Sequence, residues 1–173
     1  DLVGHLEWQI SMSDLTEKER VLAKMIVGNL SEDGFFIGSL EDIAKELEFD
    51  LEDAEEVLKV IQRFDPIGVC ARNVRECLLV QASLIFDKDH LAMKIIENHL
   101  EDLEKRNIAA ITKATGAPEE DVKEAARQIK EEFDADNDPA LQAQIQRSGM
   151  DPWPRNAEQL TRIVAEPLLI VTE

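Results

Sequence analysis

FDPIGVCARNVRECLLVQ, Phe64 to Gln81, decides how this chain folds, because it joins a helix stop, a tight turn and a strongly apolar helix. Pro66 cannot continue the helix before it and pushes Asp65 toward extended backbone. Gly68 supplies the freedom for a left-handed or sharply bent step. Helical periodicity resumes at Arg72. From Cys77 the residues Leu78, Leu79, Val80, Ala82, Leu84, Ile85 and Phe86 leave little polar face. The spacing therefore predicts one helix over 72–86, and a helix apolar all round is buried all round. Arg72, Arg75 and Glu76 surround its entry. Glu76 stands four residues after Arg72, the spacing of a helical ion pair, and Asp65 is placed to receive an arginine across the turn. An exposed pair contributes about 0–1 kcal/mol, whereas a partly buried bidentate pair fixing a turn counts for more. Two uses fit these residues: a clamp that holds the turn, or a docking surface built on it.

Working outward, the 173 residues suffice for one domain or two small ones. A 44% hydrophobic content supports a core, and only seven Gly and six Pro speak against a turn-rich β protein. The expected class is all-α: two consecutive small bundles containing helix-turn-helix-like pairs, at 1–86 and 87–150, with an irregular, extended tail or linker at 151–173. The formal charge of -18 repels phosphates and favours basic partners, and it also fits helix faces that are merely solvated. Cys70 and Cys77 lie too far apart on one helix for a disulfide, about 10 Å, so both are expected as reduced thiols of a cytoplasmic protein, Cys70 in the turn and Cys77 on the packing face. No stretch approaches the roughly 18 apolar residues needed to cross a membrane. The chain opens at Asp1 without methionine or signal peptide, as expected of a piece of a longer protein.

Along the chain, Leu2 to Met12 reads as a helix, and a second is expected from Ser13 or Asp14 through Leu30. Ser31 to Gly34 form a turn. Helices beginning at Ser39 and near Asp50 follow, then the apolar helix. Asp87 to Asp89 make a charged break before a helix over 89–105. Asn107 caps a brief helix ended by Gly116, and Pro118 opens another running to about Phe133. One more helix is expected over Pro139–Ser148. Trp8 is expected in the first core. Trp153, between Pro152 and Pro154, covers the domain or inserts into a partner, and Pro167 to Glu173 read as a strand.

Positions 68 apart repeat. Ser39 matches Asn107 as N-cap, and Leu40, Ile43 and Leu47 match Ile108, Ile111 and Thr115. The seam Ala54, Val57, Leu58, Ile61 becomes Val122, Ala125, Ala126, Ile129. Smaller residues in the second copy imply a thinner, less stable core.

Helix-turn-helix pairs suggest a DNA reader, but residues 41 to 63 carry nine acids against Lys45, Lys59 and Arg63. Duplex affinity comes from Lys and Arg neutralising phosphates, so this surface is wrong for the task. The second copy, with Lys113, Lys123, Arg127 and Lys130 against Glu119, Glu120, Asp121 and Glu124, is balanced. His5, His90 and His99 lack ligand spacing, and no HExxH, CxxC pair, GxSxG or glycine-rich phosphate loop occurs. No metal, cofactor or catalysis is expected. A DNA-binding regulator and an unrelated acidic adaptor stay as alternatives.

The Phe64–Gln81 run closely resembles the signature of the sigma-54 family, the nitrogen-type alternative sigma factors of bacterial RNA polymerase, in their core-binding domain. LVGHLEWQI (Leu2 to Ile10) resembles that family's helix with a Leu, His, Leu and Gln pattern, and IVGNLSEDGFF (Ile26 to Phe36) its helix, acidic-Gly turn and aromatic element. Residues 1 to 129 follow the pattern. About twenty further residues then precede MDPWP, where Arg155 stands in place of the family's glycine. The resemblance implies a protein that holds a sigma factor on core RNA polymerase at the β-subunit flap, touches other regions of the same factor, and needs no cofactor. It also implies that the glutamine-rich activator-contacting region and the promoter-reading motifs lie elsewhere, so no direct DNA binding is expected from these residues. On this view the interface is made or supported by Asp65, Pro66, Ile67, Gly68, Val69, Arg72, Arg75, Glu76 and Leu79, with the acids of 41–56, Glu52, Asp53 and Glu56 among them.

Overall fold

The computed structural model describes residues 1–32 and 34–133, except the side chain of Phe133. The expected helix over 139–148, Trp153 and the strand near the end lie outside the described residues. Within them the chain is all-α: α1 (Leu2–Met12), α2 (Glu17–Val27), α3 (Leu40–Glu46), α4 (Leu51–Gln62), α5 (Val74–Ala82), α6 (Leu91–Asn98), α7 (Leu100–Glu104), α8 (Ile108–Thr115) and α9 (Glu119–Phe133). An antiparallel bridge, Leu30 to Phe36, closes the loop between α2 and α3. Among the described residues no helix is long and apolar enough to cross a membrane.

Packing runs largely along the chain: α1 on α2, α2 on α3 and α4, α5 on α6, α6 on α9, and α8 on α9. The buried side chains form one apolar cluster extending from Leu6 to Ile129. Each fully buried Leu or Ile in it contributes about 1.5–3 kcal/mol of transfer free energy.

The repeat is structural. α3 and α8 begin 68 positions apart, at Leu40 and Ile108, and α4 and α9 do the same, at Leu51 and Glu119. Ser39 accepts a hydrogen bond from the Asp42 amide and Asn107 one from the Ala110 amide, the same N-cap contact. The turns coincide too, because Glu48 and Gly116 are both left-handed, at φ 58° and 73°. Both seams are buried.

Four expectations fail locally. α2 starts at Glu17, because Thr16 and Glu19 cap each other reciprocally while Ser13 terminates α1. The apolar helix is shorter than 72–86. Asn73 caps it by accepting from the Glu76 amide, and the Ser83 hydroxyl, which donates to the Val80 carbonyl, accompanies its end. Leu84 and Ile85 consequently stand 58% and 45% exposed, so this segment is not buried on every side. The helix over 89–105 breaks at His99, where the chain leaves helical geometry and turns Leu100 and Leu103 into the core. Trp8 is 61% exposed, because two residues of helix carry it about 200° around from Leu6, whose stripe with Ile10 is the buried one.

Candidate functional site

The turn between α4 and α5 is rigid for reasons that start in the backbone. α4 stops at Gln62, and the Gly68 amide donates to the Gln62 carbonyl at 2.7 Å, folding the chain back on the helix end. Gly68 has φ 89°. A Cβ there would lie 2.8 Å from the Cys77 Sγ and 3.3 Å from the Cys77 carbonyl oxygen, so both conformation and space demand glycine. Cys70, also left-handed at φ 65°, donates its amide to the Gly34 carbonyl at 2.9 Å, and the Phe36 amide donates to the Ala71 carbonyl at 2.9 Å. The turn is thereby stitched to the loop that follows α2.

Side chains complete the clamp. From α1, Gln9 donates through Nε2 to the Asp65 carbonyl at 2.7 Å and accepts from the Asp65 amide at 2.8 Å, while His5 Nε2 lies 3.4 Å from Asp65 Oδ2. The Gln81 amide group of α5 donates to the Ile67 carbonyl at 3.2 Å. Gln62, buried, donates to Glu76 Oε1 at 2.6 Å and to the Cys70 carbonyl at 3.5 Å. Arg72 forks onto both oxygens of Glu55 at 2.6 and 3.0 Å and donates to Glu76 at 2.7 Å, tying α4 to α5. Hydrogen bonds to Glu55 first and Glu76 second hold its guanidinium above the usual arginine range. Burial pushes the thiols of Cys70 and Cys77 up to about 12, and both are free.

The expected site residues divide by exposure. Pro66, Gly68 and Val69 are buried and build the turn. Ile67, Leu79, Glu76 and Asp65 are half-buried, whereas Arg72, Arg75, Glu52, Asp53 and Glu56 are exposed. Arg75 lines a shallow groove with Val74, Leu100, Glu101 and Glu104. Glu56 and Asp53 line another with Glu48, Asp50 and Phe49, over whose ring Lys18 sits at 4.7 Å from the centroid. The Arg72–Glu76 pair is present as the spacing predicted. Among the described residues Asp65 is not met by an arginine; it faces His5 and Gln9, because α1 and not α5 lies against that side of the turn. Sequence reasoning missed Gln9, Gln62 and Gln81. The available signal was amide side chains interrupting otherwise apolar helix stripes, where a buried polar group requires a partner.

Among the described residues no group of three or more His, Cys, Asp or Glu is placed to hold a metal ion. Of the three cationic side chains of α9, Lys123 is engaged by Glu119 and Arg127 by Glu124 and Glu131. What the fold and this site define is an all-α module: paired helices, a hydrogen-bonded turn and an acidic rim.

The chain belongs to the family described as the Sigma-54 factor core binding domain, which matches residues 1–149. It is 37% identical over 136 residues to the RNA polymerase sigma-54 factor of Escherichia coli K12, an alignment covering 75% of this chain and 28% of that protein. It is 36% identical over 129 residues to RNA polymerase sigma-54 factor 1 of Bradyrhizobium diazoefficiens, covering 75% of this chain and 26% of the relative. The sigma-54 factor of Pseudomonas aeruginosa is 29% identical over 136 residues. The chain thus spans about a quarter of the length of these relatives.

Proposed function

We propose that this chain tethers a sigma-54-type initiation factor to core RNA polymerase in the bacterial cytoplasm by protein–protein contact, catalysing nothing and selecting no promoter. The observation that carries this reading is the clamped turn at 64–73. It is held from α1, α4 and α5 by side-chain hydrogen bonds, and it lies beside an α4 face that displays Glu52, Asp53 and Glu56. A pre-ordered turn loses little entropy on docking, and fixed carboxylates steer toward basic ground and set orientation. The partner surface is the β-subunit flap, with Asp65, Ile67, Leu79 and Arg75 contributing contacts and Pro66, Gly68, Val69, Arg72 and Glu76 holding them in place. The chain acts as two units, 1–86 and 87–150, of which the first does most of the docking.

Purified chain mixed with purified core polymerase should co-elute on size exclusion at low ionic strength, and the complex should weaken as salt rises. Reversing three charges together, E52K, D53K and E56K, should lower affinity at least about tenfold, about 1.4 kcal/mol. A folded chain that ignores core polymerase at low salt refutes the proposal. No observation favours DNA binding, since two of the three α9 cations, Lys123 and Arg127, already pair with carboxylates of the same helix.

A further inference from the structure

Trp8 stands outside the buried core, 61% exposed, and its surroundings give it a use. It lies on the outward side of α1, and its indole is stacked against the His5 ring with centroids 6.4 Å apart and planes 12° from parallel. His5 in turn reaches the Asp65 carboxylate. Gln9 fixes the spacing of this strip, because its two hydrogen bonds lock α1 to the backbone of Asp65. Indole, imidazole and a carboxylate that is 47% exposed therefore form one continuous surface contributed by two elements 56 residues apart.

Charge says what such a surface takes. Residues 1–17 contain Asp1, Glu7, Asp14 and Glu17 and no lysine or arginine. A guanidinium stacks flat on an indole face and forks onto a carboxylate, and it is less strongly hydrated than an ammonium. Exposed tryptophan beside a fixed countercharge has the composition of an interface hot spot. We infer that Trp8, His5 and Asp65 form the seat for an arginine side chain of the partner polymerase, so that α1 is part of the docking face. This rests on the docking function proposed above.

The test uses the full chain with Trp153→Phe, which leaves Trp8 as the sole tryptophan, labelled with 5-fluorotryptophan and observed by fluorine NMR. In the free chain Trp8 should be open to a soluble quencher; adding core polymerase should shift and broaden its signal. W8A should weaken binding at least about tenfold and W8F by about threefold or less, both with unchanged thermal unfolding, because the side chain is not in the core. D65N should weaken binding too. The W8A/D65N double variant should lose less than the product of the single effects, since both grip one side chain. An unshifted Trp8 signal in a complex that still forms, or W8A binding like the parent, overturns the inference and leaves the docking function standing. A Trp8 already shielded in the free chain, or multiplicative losses in the double variant, also overturns it. A folded chain that forms no complex removes the docking function and this inference together.

Discussion

Gly68→Ala isolates what the turn requires. At φ 89° an L-residue pays a conformational penalty of about 1–2 kcal/mol, and the added methyl would sit 2.8 Å from Cys77 Sγ and 3.3 Å from a backbone carbonyl that cannot swing away. Forcing a methyl into a filled site adds about 1–3 kcal/mol. The expected total is about 3 kcal/mol, which for a protein of this size lowers the unfolding midpoint by about 6–12 °C. Gly116→Ala supplies the control. Its φ is 73°, but nothing lies within 4 Å of the Cβ position, so only the conformational part, about 1–2 kcal/mol, applies. Thermal unfolding followed by circular dichroism on both variants separates the two contributions. If G68A is no more destabilising than G116A, the steric argument fails and the turn is looser than described. If neither variant is destabilised, the left-handed assignments are wrong.

Other consequences follow from the same contacts. Gln9→Ala strips partners from the Asp65 amide and carbonyl and should cost about 1–2 kcal/mol in urea unfolding; Gln9→Glu should cost at least as much, because a carboxylate cannot donate to the carbonyl and repels Asp65. Arg72→Lys keeps the charge but loses the fork onto Glu55. A stability loss of about 0.5–1.5 kcal/mol, discounted for the partial exposure of all three groups, is expected, and an unchanged urea midpoint would show the pair to be ornamental. Cys70 and Cys77 should be silent to a thiol reagent in the native chain at pH 8 and both react in denaturant. Because burial raises these two pKa values to about 12, the folded state holds protons that the unfolded chain releases near pH 8.5. Stability is therefore full below about pH 8.5 and falls as pH rises toward 12, by up to about 1.4 kcal/mol per unit for each thiol. The chain contains no tyrosine to obscure that window, so a urea midpoint flat from pH 8 to 9.5 would contradict it.

Much of this architecture is written locally. N-caps at Ser39 and Asn107, the left-handed glycines and the 68-residue repeat depend on neighbours a few residues away, and short-range steric and capping preferences act the same way in any fold. The family signature at 64–81 was equally legible, because it consists of turn formers and ion-pair spacing within one segment. Helix ends proved less so. Ser83 and His99 interrupt runs whose periodicity alone would continue, and there hydroxyl competition or the burial of Leu100 outweighs propensity.

What sequence by itself determined here is the helical class, the paired-helix repeat and the need for glycine at 68, all matters of dihedral sterics and period. Only the tertiary structure decided that Gln9 and His5 meet Asp65, that Gln62 joins Glu76, and that Trp8 faces outward. Those outcomes depend on which side of each helix its neighbours bury, and a polar side chain finds a partner 56 residues away only after packing has placed the two elements side by side.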